Sequence, residues 1–242
     1  MRFDVLTIFP GMFSAYLEEG MLGRSVKRGL VDVRLVNIRD FAAGTHKATD
    51  DRPYGGGDGM VMTPEPMYRA LKSVDRLEKS LVILLCPQGE TFDQATAWEL
   101  SRWDQLILTC GRYEGVDERI RLTSIDRELS IGDYVLSGGE LGALIVMDAV
   151  SRLVPGVLGG ERSNQEDSFE DGLLEYPQYT RPRVFQGKEV PSVLLSGDHE
   201  KIRLWRRKEA LRRTLKRRPD LLQKARLTSE DEEILAKLRK DS

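Results

Sequence analysis

Four stretches of the chain are denser in glycine and polar residues than folding alone requires. They are 50–62 (DDRPYGGGDGMVM), 86–93 (CPQGETFD), 109–120 (TCGRYEGVDERI) and 129–140 (LSIGDYVLSGGE). Glycine lets main-chain N–H and C=O groups come close to a ligand. Three of the stretches follow directly on, or contain, an apolar strand-like run. In open α/β sheets ligands bind beyond the carboxyl ends of the strands, so these three read as the rim of a ligand site. The alternative is that each glycine serves only a tight turn. The usual nucleotide cradles are absent from the sequence: there is no G-x-x-x-x-G-K-[ST], and GGGDG is not G-x-G-x-x-G. His46 and His199 are the only histidines, and neither has a nucleophile elbow beside it. His46 therefore reads as a substrate contact or a plain loop residue, not a catalytic base. Two cysteines and two histidines, scattered, give no zinc-ligand spacing, and no metal site is expected from the sequence.

The elements that must position these loops alternate. FDVLTIF (3–9), DVRLVNI (32–38), LVILLC (81–86) and DQLILTC (104–110) are short and rich in Val, Ile and Leu, and read as buried strands. Between them lie helix candidates at 12–29, 63–77 and 93–103, the second opening on Thr63 as an N-cap with Pro64 in its first turn. A further helix, 139–157, is closed by Pro155 and Gly156. This alternation predicts an α/β domain with a largely parallel sheet. The stretch 159–182 is rich in Gly, Ser, Asn, Asp and Pro and reads as a linker or loop. From His199 to Lys240 the sequence predicts helix throughout, with Ile202, Trp205, Leu211 and Leu215 as an apolar stripe. Thr228, with Asp231 three residues on, is the expected cap of the last helix. Cys86 and Cys110 end apolar runs and read as buried free thiols.

A net charge of −2 hides a strong asymmetry. Between Lys201 and Arg226 there are twelve Lys/Arg against Glu209 and Asp220, whereas 161–175 holds six acids against Arg162. Such a local basic excess suits a phosphate-rich partner. No apolar run approaches the roughly 20 residues needed to span a bilayer, and the amino terminus does not resemble a signal peptide. A reducing, cytoplasmic location and no membrane partner are expected.

DVLTIFPGMF, RPYGGGDGMVM, CGRYEGVDERI, SIGDYVLSGGE and DSFEDGLLEYPQYTRP stand in the order and spacing of one family's signatures. On them the chain resembles, end to end, the bacterial tRNA (guanine-37-N1)-methyltransferases, members of the SPOUT class that use S-adenosylmethionine (SAM). The resemblance implies a SPOUT methyltransferase domain over 1–160, whose parallel sheet ends in a deep trefoil knot. Such knots are exceptional among folds. A flexible linker over 161–175 and a small, helical, basic tRNA-binding domain over 176–242 would follow. SAM would be held by Leu85, Pro87, Gly89, Gly111, Tyr113, Ile131, Gly132, Asp133, Tyr134, Val135, Leu136, Gly138 and Gly139. The family is homodimeric, with active sites shared between subunits, and its activity depends on magnesium.

The implied product is N1-methylguanosine at position 37 of tRNA, where the target follows another guanosine. Guanine N1 carries a proton and is a poor nucleophile until that proton leaves, so a carboxylate must act as general base. Negative charge then gathers on O6, which a nearby cation stabilises. By family position Asp167 is the base, Arg152 the O6 stabiliser and Glu114 a further carboxylate beside the methyl donor. His46, Asp50 and Arg52 would meet the flipped guanine or the anticodon backbone. Two other readings stay open on sequence: another SPOUT enzyme acting on rRNA or on a ribose hydroxyl, and a non-catalytic RNA-binding protein.

Overall fold

A computed structural model describes residues 1–158 and 167–240. The chain divides into two compact units, Met1–Glu161 and Arg162–Ser242. In chain order the first holds β1 (Arg2–Thr7), α1 (Ser14–Glu18), α2 (Gly20–Lys27), β2 (Asp32–Asn37), β3 (Asp50–Asp51), β4 (Val61–Met62), α3 (Pro64–Ser73), β5 (Ser80–Thr91), α4 (Gln94–Leu100), β6 (Gln105–Cys110), α5 (Glu118–Ser124), β7 (Arg127–Ser130) and α6 (Glu140–Ser151). Five strands form one sheet in the order β2-β1-β6-β5-β7, every pair parallel.

The inner strands β5 and β6 carry unbroken apolar runs because both faces of the sheet are covered there, whereas the edge strand β2, expected to be buried, is half-buried to exposed because one of its sides has no neighbour. Phe3, Val5, Ile83, Leu85, Leu106 and Leu108 point into one core with residues of α4 and α6. Leu6, Val82, Leu84 and Ile107 point into the other, with Met67 and Ala70 of α3 and Ile120 of α5. Period-2 alternation along each strand thus feeds two separate cores.

The four expected strands are present, and β5 runs past Cys86 to Thr91. Its register against β7 shifts between Leu85 and Glu90, both opposite Leu129. At that irregularity a Cβ on Gly89 would overlap the backbone of Glu128 and Leu129. Gly89 therefore lets β5 pass close against β7. The expected helix over 12–29 is broken in two, because Glu19 is extended and Gly20 takes a positive φ of 65°. Thr63 is the N-cap of α3 and Pro64 stands in its first turn, as expected, although the Thr63 side chain makes no cap bond. Asp93 does cap α4, its carboxylate accepting from the Thr96 amide. Periodicity alone does not separate the short strand β7 and helix α5 from the loops around them.

In the second unit β8 (Val184–Phe185) and β9 (Lys188–Glu189) make a small hairpin, followed by α7 (His199–Arg217) and α8 (Ser229–Lys240). The run expected to be helical throughout is interrupted at Arg218, whose backbone leaves helical space before Pro219. Proline at that point cannot continue a helix. Leu173, Ala210, Leu211, Leu235 and Leu238 form the core. Leu211 of the expected stripe is buried, while Ile202, Trp205 and Leu215 are half-buried. The expected capping box closes α8: the Thr228 amide donates to Asp231 at 2.9 Å, and the Asp231 amide to Thr228 Oγ1 at 3.2 Å. Of the expected linker 161–175, residues 161–166 lie outside the described residues. From Asp167 onward the segment packs on α7. Leu173 is buried, and the Leu174 amide donates to Thr214 Oγ1 at 2.9 Å.

Candidate functional site

Parallel strands present their carboxyl ends to one edge of the sheet. There the chain leaving β5, β6 and β7 encloses a cleft of about 240 Å³. Its lining comes from 84–88, 111–116, 129–132 and 134–139, with Arg121 and Gly142. Leu85, Pro87, Gly111, Tyr113, Ile131, Gly132, Tyr134, Val135, Leu136, Gly138 and Gly139, all singled out in the sequence, lie on it. Gly89 and Asp133 do not: Gly89 is spent on the β5–β7 contact, and Asp133 is exposed off the lining. Sequence reasoning missed Gln88, Arg112, Arg121, Ser130, Ser137 and Gly142. Gln88, Arg112, Ser130 and Ser137 lie inside the glycine-rich stretches, so proximity to those glycines is the available signal.

Main-chain geometry sets the walls. The Gly139 amide donates to the Gly111 carbonyl at 2.8 Å, tying the third loop to the second. A Cβ on Gly139 would stand 2.9 Å from the Cys110 Cα and 3.1 Å from the Leu85 Cβ. Tyr113 and Gly132 both have positive φ, 59° and 141°. For Tyr113 this is a strained conformation of the kind that gathers at ligand sites.

The two cations on the lining are each paired. Arg112 Nε donates to the buried Glu140 at 2.9 Å, and its guanidinium lies 4.6 Å from the centre of the Phe9 ring. Arg121 donates to Glu128 at 2.5 Å, and the Cys86 thiol donates to the same carboxylate at 3.1 Å. Burial pushes the Cys86 thiol up, and the neighbouring Glu128 adds to this. Burial also pushes Cys110 well up, with Glu140 adding to it. For Glu128 burial acts upward, but the bonds from Arg121 and Cys86 outweigh it and hold the carboxyl below its usual range. Of the two thiols expected to be buried, Cys110 is; Cys86 is half-exposed on the cleft, because the chain leaves the core there.

Glu114 is exposed on the cleft wall, and its side chain lies against Gly59. The Glu114 amide donates to the Met60 carbonyl at 2.9 Å, and the Met62 amide to the Gly115 carbonyl at 2.9 Å. These bonds hold the β3–β4 hairpin beside the cleft. Asp50 lies in that hairpin opposite Met62. Arg52 is exposed in the connection between its two strands, and His46 is exposed in the turn before it. Arg152 ends α6, its amide donating to the Asp148 carbonyl at 3.2 Å. Ten residues of helix separate it from Gly142, about 15 Å along the axis.

Asp167 belongs to the second unit. It borders a groove of about 410 Å³ with Asp171, Glu175, Tyr176, His199, Arg203, Arg206 and Arg207. The Arg206 guanidinium lies 4.8 Å from the centre of the Tyr176 ring. Arg207 grips the buried Asp231 with two bonds of 2.8 Å. Among the described residues no three His, Cys, Asp or Glu side chains gather to hold a metal ion. No helix among them is long and apolar enough to cross a membrane.

The fold and cleft define a parallel α/β protein with a small-molecule-sized cleft beyond its strand ends, where ligands bind in open sheets of this kind. A profile of the family described as tRNA (Guanine-1)-methyltransferase TrmD matches residues 1–224. The chain belongs to that family. It is 55% identical to a tRNA (guanine-N(1)-)-methyltransferase of Dictyoglomus turgidum, over 100% of this chain and 98% of that one. It is also 55% identical to the protein of the same name from Moorella thermoacetica, over 98% and 96% of the two chains. For the Geobacter sulfurreducens protein the figures are 53%, 100% and 99%.

Proposed function

We propose that the protein transfers a methyl group from SAM to N1 of guanosine 37 in tRNA, in the cytoplasm. The observation that carries this reading is the three-loop cleft beyond β5, β6 and β7, in a chain whose full-length relatives bear the name tRNA (guanine-N(1)-)-methyltransferase. The lining fits the cofactor. Leu84, Leu85, Ile131 and Leu136 offer apolar walls to an adenine ring, and the glycine-rich backbone offers donors and acceptors for its polar edge. SAM supplies an electrophilic methyl group on a sulfonium. The chain's own part is to hold the nucleophile close and in line with it.

In this reading Asp167 takes the N1 proton, Arg152 stands against O6, and Glu114 lies beside the reacting methyl. His46, Asp50 and Arg52 hold the RNA at the hairpin rim. The basic face of α7 tracks the tRNA backbone from a domain that begins near residue 176, while residues 1–160 form the knotted SAM domain. Two copies share each active site. The length of α6 supports this sharing, because Arg152 stands a full helix away from the cleft of its own chain. Dependence on magnesium belongs to this reading, with Glu114 and Asp167 as the carboxylates that would stand near the ion.

The test is nucleoside mass spectrometry of tRNA incubated with the protein and SAM. N1-methylguanosine next to the anticodon is expected; a methylated ribose or unmodified tRNA refutes the reading. The Asp167→Asn variant is expected to bind tRNA and lose about 100-fold or more in single-turnover transfer rate, the usual scale for a general base.

A further inference from the structure

One contact beside the cleft is built at some cost in desolvation and is not accounted for by strand pairing or cofactor lining. Glu140 is the first residue of α6, and its side chain is 1% exposed. A buried carboxylate is costly unless it is paired and hydrogen-bonded. Glu140 is both. One oxygen accepts from Thr7 Oγ1 at 2.8 Å, at the end of β1. The other accepts from Arg112 Nε at 2.9 Å, in the loop after β6. The Arg112 side chain then reaches along the third loop: it lies 3.4 Å from Ser137 Oγ, and its residue bridges Gly138 in antiparallel fashion. A Cβ on Gly138 would fall on Arg112 and 2.6 Å from Glu140 Oε2. The space a side chain would fill at Gly138 is therefore occupied by the ion pair. This is a reason for glycine there that has nothing to do with touching a ligand.

We infer that Glu140 is a positioning residue for the cofactor cleft: through Arg112 it fixes the loop after β6 against the loop after β7. The pair joins three chain segments that are distant in sequence. Arg112 lies on the cleft lining, with Gly111, Gly138 and Gly139 beside it. Glu140 acts through Arg112 and is not a residue of the lining. Without the pair, the loops are held at this point by main-chain ties alone, the Gly139–Gly111 bond and the Arg112–Gly138 bridge, and are fixed less firmly against each other. Such a loss falls on the group the loops hold, and not on RNA contacts made elsewhere.

The inference rests on the SAM reading above, and its test separates the two. Wild-type protein is first assayed for SAM binding by calorimetry and for formation of N1-methylguanosine; failure there sinks the reading itself. Glu140→Gln keeps the shape and an oxygen for Thr7 but removes the charge that holds Arg112. It is expected to raise the SAM dissociation constant about tenfold or more, since small misplacements in a site have effects of this order. The tRNA KM at saturating SAM should stay within about twofold, again on the view that only the cleft is misplaced. Arg112→Met leaves Glu140 buried and unpaired and should bind SAM worst. Adding Glu140→Gln to it should recover part of the loss. Should Glu140→Gln not fold, Arg112→Lys, which keeps the charge but loses the planar fork, must show the same selective loss for SAM. An unchanged SAM constant, equal losses for SAM and tRNA, or a double variant no better than Arg112→Met alone would each overturn the inference.

Discussion

The cleft of the first unit and the groove of the second are built in opposite ways. The cleft is a main-chain construction. Its walls are loop backbones brought together by glycine, and both of its arginines are paired with carboxylates. The groove is a side-chain construction, lined by Arg203, Arg206 and Arg207 from one face of α7 and by acids that precede it. The difference teaches how each can recognise a ligand. A backbone wall reads shape and hydrogen bonding and is little affected by salt. In the groove Arg203 and Arg207 are also paired, with Glu200 and Asp231, but they are side-chain charges on an open face, and recognition by such charge weakens as counterions compete.

Three experiments press on this contrast. The largest expected effect is at a backbone contact of the cleft. Gly139→Ala places a methyl group 2.9 Å from the Cys110 Cα, a neighbour that cannot turn away. A loss of about 2 kcal/mol in stability, as for other overpacked sites, is expected in urea melts, with loss of SAM binding and retention of tRNA binding. Retained SAM affinity would break the claim that backbone proximity makes the cleft.

Acid is expected to act on the second unit through Asp231. Burial pushes that carboxyl up, but the bonds from Arg207 and Thr228 prevail and bring it from 3.8 down to about 2. A depressed value stabilises the fold above the unfolded value and is lost as pH falls through the folded one. The pair's contribution, up to about 2 kcal/mol by linkage, should therefore be full at pH 5 and disappear toward pH 2. Urea melts of Asp231→Asn should show the lower stability already at neutral pH, with the acid step reduced.

The smallest effect concerns charge at the surface. Lys216 and Arg217 are exposed near the end of α7. Changing both to Ala should weaken tRNA binding at low salt and lower the slope of log affinity against log salt by about 1 to 2. SAM affinity measured by calorimetry should not move. A change in both would blur the division between the two regions.

The parallel sheet was legible because strands covered on both faces must be continuously apolar, and Val82–Leu85 and Leu106–Leu108 are. The helix over 12–29 was misread because its apolar periodicity continues across Gly20, where a positive φ breaks the axis. The break at Arg218 was carried by Pro219 and could have been read. Most of the cleft lining was legible through glycine and family resemblance, but Gly89 packs against the backbone of Glu128 and Leu129 beside the cleft instead of on its lining. A glycine needed for contact between two strands looks no different in sequence from one that faces a ligand. Glu140 stayed hidden for a related reason: a carboxylate at the start of a helix reads as a favourable charge on the dipole, and its partner Arg112 is 28 residues away.

Helix α6 has a consequence for how activity should be counted. It begins at the cleft wall and ends at Arg152, and a rod of that length holds its two ends apart. On the proposed reading a protomer cannot complete its own reaction centre. A protein spoiled at the cleft by Gly139→Ala and one spoiled by Arg152→Ala are then each inactive, but for different halves of the job. Mixed together and allowed to exchange partners, they should regain transfer in the pairs that bring one intact cleft to one intact arginine.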